Sequence, residues 1–178
     1  MQKLTVQQRQ LCAVVDVSIE LASNYFNESL LAPDVRFDLR GKCAGQARFE
    51  VERVFGIETR NKIVIRFNRL LMEDNFQAFI DDVAPHETAH VIARQVYGSK
   101  IKPHGQEWKM IMRDILNKSP SVTHQFDVTR ASPKPFLYQC DCTGLQHALS
   151  VIRHNRVQRK QSSYLCRQCN GLLIFTYS

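Results

Sequence analysis

The stretch Pro85-His86-Glu87-Thr88-Ala89-His90 constrains the fold more than any other part of the chain. It is an H-E-x-x-H pattern, and two imidazoles four residues apart meet on one face only if the backbone is helical. On such a helix His86 and His90 can grip one zinc ion, while Glu87, about 100° round the axis, reaches the open side of the metal. Zinc lowers the pKa of its water towards about 7 and polarises a carbonyl, and the carboxylate takes the proton as the water attacks. With 6 His and 8 Glu in 178 residues, chance supplies roughly 0.01 such patterns. The segment is read as a zinc-binding helix with Glu87 as general base.

A catalytic zinc takes three protein ligands and keeps one position open. Ala93 and Val96 occupy the places where a metzincin has its Gly and third His. Two candidates remain, His104 and Glu107. They are three residues apart and can share a face, so spacing does not choose between them. The neutral imidazole in a loop-to-helix corner is favoured. Tyr97, seven residues after His90, is a minor candidate for oxyanion stabilisation, and Asp81 and Asp82 for orienting a ligand imidazole.

Around this motif the pattern is α+β. Thr5 and Gln8 form a capping box for a helix running to Leu30, ended by Pro33. Val35/Phe37/Leu39, Ala47/Phe49/Val51 and Ile63/Ile65/Phe67 alternate as three strands, expected antiparallel because their connections are short. Gly41 and Gly45 suit the first turn. A second helical pattern starts near Phe76 and stops at Gly98, with a kink or fresh start expected at Pro85. A third runs from Gln106 to Leu116, with Trp108 and Met112 on its apolar face. Residues 119–135, rich in Pro and Ser, are read as a segment connecting a domain at 1–118 to a tail at 136–178.

That tail is too short to build a core without a staple. Cys140-x-Cys142 and Cys166-x-x-Cys169 supply one, as four thiolates closing round a structural zinc. The C-x-C half is unusual, so His147 or His154 is an alternative to Cys142. Cys12 and Cys43 are read as ordinary residues. No stretch approaches the roughly 18–20 apolar residues of a membrane span, and the start lacks the apolar run of a secretory signal. A cytoplasmic protein with reduced thiols is expected.

The net charge of +7 is unevenly spread. Residues 1–98 hold 12 Lys and Arg against 13 Asp and Glu, whereas residues 99–178 hold 12 against 4. Arg153, Arg156, Arg159 and Lys160 cluster in the tail near Tyr138 and Tyr164. Basic side chains among aromatics suit phosphate contacts and base stacking on single-stranded DNA.

Phe79–His90 followed by Pro103-His104-Gly105-Gln106-Glu107-Trp108-Lys109 resembles the bacterial SprT family, in which the His of an H-G-x-x-W-K segment completes an H-E-x-x-H helix. The likeness continues through Arg66–Leu71, Thr123-His124-Gln125-Phe126, Arg153-His154-Asn155-Arg156 and Tyr164-x-Cys166-x-x-Cys169. One departure is Thr88, where an aliphatic residue is expected. The resemblance implies a zincin-like metalloprotease domain followed by a zinc-ribbon-like tail, with His104 as third ligand. Kinship with the eukaryotic Spartan proteases implies hydrolysis of peptide bonds in DNA-associated or DNA-crosslinked proteins. The alternatives are a zinc-dependent nucleic-acid-binding or transcription-associated protein with little or no proteolytic activity, and a hydrolase acting on something other than protein.

Overall fold

The computed structural model describes residues 3–54, 57–121, 127–132 and 134–176, with side chains at all of these except 51–61. The expected Thr123–Phe126 segment, His124 included, lies outside the described residues. The chain forms two compact units, residues 1–131 and 132–178. Part of the stretch read as a connector belongs to the first of them. Ala131 is buried in its core, Val128 packs on that core, and Arg130 pairs with Asp74.

In the first unit, α1 (Val6–Phe26) begins with the expected capping box between Thr5 and Gln8. It ends before Leu30 because Asn27 adopts the left-handed conformation at φ 52° and closes the last turn on the Ser23 and Asn24 carbonyls. Leu11, Val15, Ile19 and Ala22 form its buried stripe. Strands β1 (Asp34–Leu39), β2 (Gly45–Val54) and β3 (Ile57–Asn68) make a sheet of order β1-β3-β2. β2 and β3 are an antiparallel hairpin, but β1 runs parallel to β3, contrary to the expectation. The short β1–β2 connection does reverse the chain; it fixes direction and not adjacency, and β3 inserts between the two.

Asn68 pins this crossing. Its backbone N–H donates to the Ala44 carbonyl at 2.8 Å, and its side-chain amide donates to the Gly41 and Cys43 carbonyls at 2.7 and 3.2 Å. Its carbonyl oxygen accepts from the backbone of Leu70 and Leu71, capping α2 (Arg69–Asp74). Gly41, at φ 81°, makes the turn that only glycine enters without strain.

A short α3 (Phe76–Ala78) then leads through a π-turn (Phe79–Val83) into α4 (Ala84–Tyr97). The π-turn is the answer to Pro85. Proline has no N–H, so the helix shifts register before it: the Ala84 N–H bonds to the Phe79 carbonyl five residues back. Helix α5 (Gln106–Met110) ends in a second π-turn (Ile111–Ile115). The core of this unit gathers Leu11 and Val15 of α1, Ile65 and Phe67 of β3, Val91 and Ile92 of α4, and Trp108.

The second unit is a sheet of order β5-β4-β6, with β4 (Phe136–Gln139), β5 (Gln146–Leu149) and β6 (Ile174–Phe175) antiparallel, plus helix α6 (Val151–Gln158). Its core is small: Tyr138, Leu149, Cys166 and Leu173. Among the described residues no helix is long and apolar enough to cross a membrane.

Candidate active site

Helix α4 places His86 and His90 on one face, and the tight turn Lys102–Gly105 delivers His104 to them. That turn closes through a 2.9 Å bond from the Gly105 N–H to the Lys102 carbonyl. It puts His104 at φ 54°, in the left-handed region that few residues other than glycine enter, though histidine enters it more readily than most. Strain of this kind persists only where surrounding structure holds it.

The three Nε2 atoms converge, with separations of 3.0 Å for His86–His104, 3.0 Å for His90–His104 and 3.3 Å for His86–His90. A tetrahedral zinc with Zn–N bonds of about 2.0–2.1 Å holds its ligand nitrogens roughly 3.3 Å apart. Burial pushes His90 down to about 4 and lowers His104 as well, so both are neutral with lone pairs available at pH 7. Three imidazole nitrogens aimed at one point cannot all pair with one another; a cation at their centre satisfies all. The donor set fits zinc, and His86, His90 and His104 could hold it.

Trp108 of α5 forms the wall behind this cluster. Its ring lies 4.8, 5.6 and 4.7 Å from those of His86, His90 and His104, and its Nε1–H donates to the His86 carbonyl at 3.3 Å. The sequence reading gave Trp108 to the core; it is buried there, and it also sets the imidazoles. Thr88, the departure from the family pattern, is fully buried, and its hydroxyl donates to the Ala84 carbonyl at 2.7 Å. The helix accommodates it without disturbing the histidines.

Glu87 is 9 % exposed, and its Oε2 accepts the Ala47 N–H of β2 at 2.9 Å. Burial raises its carboxyl to about 7, and the Ala47 bond opposes that rise only in part. β2 approaches so closely that a Cβ on Gly45 would stand 2.6 Å from Glu87 Cγ. Gly45 is thus the first residue of a strand, not a turn residue, and its lack of a side chain makes room for Glu87. An isolated glycine in a strand pattern signals such an approach, but not what approaches.

These groups line an open cleft of about 440 Å³. Glu107 does not line it, so geometry separates the two candidates that spacing left open. Tyr97 is 41 % exposed and packs edge-on against Phe26. Asp81 is engaged by Gln77 at 2.7 Å and Lys118 at 3.1 Å, which in that order lower its pKa, so its carboxylate serves the surface.

In the second unit, one turn after β4 carries Cys140 and Cys142, and another, closed by the Leu165–Leu172 bridge, carries Cys166 and Cys169. The four sulfurs lie within 4.8 Å of one another and form no disulfide. Backbone N–H groups of Cys169 and Gln168 hold the Cys166 thiol down to about 6, while hydrogen bonding with the neighbouring sulfurs, Cys169 first, pushes Cys142 up to about 12. As thiolates, four sulfurs so close would need a cation, and the set fits the closed shell of a zinc ribbon. Of the two alternatives to Cys142, His154 is engaged elsewhere, whereas His147 stands beside the sulfur cluster. His147 Nε2 lies 3.3 Å from Cys140 Sγ, and His154 pairs with the Tyr138 hydroxyl at 3.0 Å beneath the stacked Phe136 ring. Arg153, Arg156, Arg159 and Lys160 are all exposed, with Arg153 over the Tyr164 ring at 5.6 Å.

The SprT-like family model matches residues 16–130. Protein SprT of Vibrio atlanticus (strain LGP32) is 38 % identical over 172 residues, covering 97 % of this chain and 95 % of that protein. Protein SprT of Pasteurella multocida (strain Pm70) is 39 % identical over 166 residues, covering 93 % and 92 %, and that of Shewanella oneidensis is 35 % identical over 163, covering 92 % and 96 %. No solved structure matches the chain. A family model spanning most of the first unit, and relatives aligned across both units, establish that the chain belongs to the SprT-like family.

Proposed function

We propose that this protein is a zinc-dependent peptidase of the zincin type. The observation that carries the reading is the convergence of three imidazole nitrogens, 3.0–3.3 Å apart, beside a carboxyl that burial raises to about 7. His86, His90 and His104 would hold the zinc, which supplies Lewis acidity to the scissile carbonyl and to the attacking water. Glu87 takes a proton from that water on its carboxylate and returns it to the leaving amine; a pKa near the working pH suits both transfers. Trp108 keeps bulk water from the back of the site and fixes His86. β2 is an edge strand whose Ala47 N–H points away from β3, towards Glu87. An extended polypeptide can pair with such an edge and lie across the site.

The substrate class we propose is protein bound or crosslinked to DNA. Residues 132–178 hold one acidic residue, Asp141, against Lys134, Arg153, Arg156, Arg159, Lys160 and Arg167, a balance that suits phosphate binding. The same balance supports the second reading, a nucleic-acid-binding module with little proteolysis. The deciding experiment incubates the zinc-loaded protein with a DNA-binding protein, with and without single-stranded DNA, beside Glu87→Gln. Cleavage that needs DNA and disappears in Glu87→Gln supports the peptidase. DNA binding by both forms, with cleavage by neither, overturns it in favour of the binding module.

A further inference from the structure

The cleft carries a cation that the chemistry above does not use. Arg94 lies one helical turn beyond His90 on α4 and lines the cleft, and its guanidinium sits 4.4 Å from the centroid of the Phe49 ring on β2. A guanidinium held over an aromatic face still has N–H groups to offer at its edge. Among the described residues no carboxylate lies within 4.0 Å of it. Lys102, exposed, stands in the same lining, where Glu87 is the only acidic residue among the described ones.

We infer that Arg94, braced on Phe49 and assisted by Lys102, makes this cleft select an acidic side chain within two residues of the scissile bond. The inference rests on the peptidase reading and names the substrate feature that the site recognises. Four residues of helix rise about 6 Å from His90 to Arg94, and two residues of extended chain span about 6.6 Å. A carboxylate on a bound peptide therefore reaches Arg94 while a nearby carbonyl lies at the histidines. A lysine placed there meets two cations instead, so the site both attracts one charge and repels the other.

The test uses short dye-labelled peptides, identical except for Asp, Ala or Lys at the positions flanking one cleavable bond. Affinity is read by fluorescence anisotropy on the zinc-loaded full chain carrying Glu87→Gln, and kcat/KM on the same chain with Glu87 intact. The expected order is Asp, then Ala, then Lys, with about fivefold per step, as befits a partly exposed charge pair. Arg94→Lys keeps the order, Arg94→Ala flattens it, and Arg94→Glu inverts it, with thermal melting confirming that each variant folds. Inversion is a result that mere structural damage does not produce. An Asp preference that survives Arg94→Glu, or no preference at all, overturns the inference. Cleavage without preference leaves the peptidase reading standing alone; Arg94-dependent preference in binding without cleavage leaves the subsite and removes the peptidase. If Arg94→Glu weakens binding of a single-stranded oligonucleotide and leaves the peptide order intact, the cation serves phosphate and the inference is overturned.

Discussion

Glu87 and His90 are neighbours in the cleft whose titrations oppose each other. Burial moves the carboxyl from its ordinary 4.5 up to about 7, and the imidazole from 6.5 down to about 4. In the metal-free fold, the stability tied to protonated Glu87 is fully present below 4.5 and lost as pH rises through 7. The stability tied to neutral His90 is present above 6.5 and lost as pH falls through 4. Between about 4.5 and 6.5 the two slopes cancel. Glu87→Gln removes one of them, so the chelator-treated variant gains on the order of 3 kcal/mol between pH 4 and 6.5. Urea melts at several pH values check this; a variant as flat as the parent contradicts it. Gly45→Ala tests the other side of Glu87. A methyl 2.6 Å from Cγ must push the carboxylate aside, and displacement of about 1 Å costs roughly 100-fold in kcat. Zinc content is expected to stay unchanged, because the atoms nearest that methyl belong to Glu87 and not to a histidine. At this scale the H-E-x-x-H residues were legible because their spacing is local. Gly45, Ala47 and Arg94 were not, because their roles come from strand β2 lying against helix α4.

Elements divide in the same way between local and long-range causes. The capping box of α1 is written in four consecutive residues, and the structure has it as read. Thr5→Ala removes the hydroxyl that accepts from Gln8 and costs about 1 kcal/mol. Asn68 looks like any strand-end asparagine in the sequence, yet it is 2 % exposed and joins the β1–β2 crossing, the end of β3 and the start of α2. Asn68→Ala strands several buried carbonyl and N–H groups at once and is expected to cost about 3 kcal/mol. Comparing the two variants by equilibrium denaturation separates a cap from a node; equal losses mean that the crossing is held by something other than Asn68. The parallel pairing of β1 was hidden for the same reason, since turn length reports reversal and says nothing of insertion. Pro85 was legible as a disturbance, but a π-turn and a kink remove the same hydrogen bond, and only the packing of Phe79 and Val83 into the core selects between them.

The two units differ in what holds each together. Residues 1–131 have an extensive core drawn from helices and sheet, whereas the described residues of 132–178 bury only four hydrophobic residues, one of them the metal-site candidate Cys166, and His154. A unit of that size with so little apolar burial depends on a staple, and the four cysteines are the staple available. Zinc analysis is expected to find two ions per chain. Cys166→Ser then loses one ion and exposes the tail to limited proteolysis, because an oxygen replaces a sulfur that two backbone N–H groups hold as thiolate. His104→Ala also loses one ion, but leaves the tail protected. The melting transition of residues 1–131 persists in Cys166→Ser, since none of its buried residues lies in the tail. If Cys166→Ser keeps both ions and a protected tail, the thiols are not the staple, and the small sheet must be held by its aromatic cluster of Phe136, Tyr138, His154 and Phe175 instead.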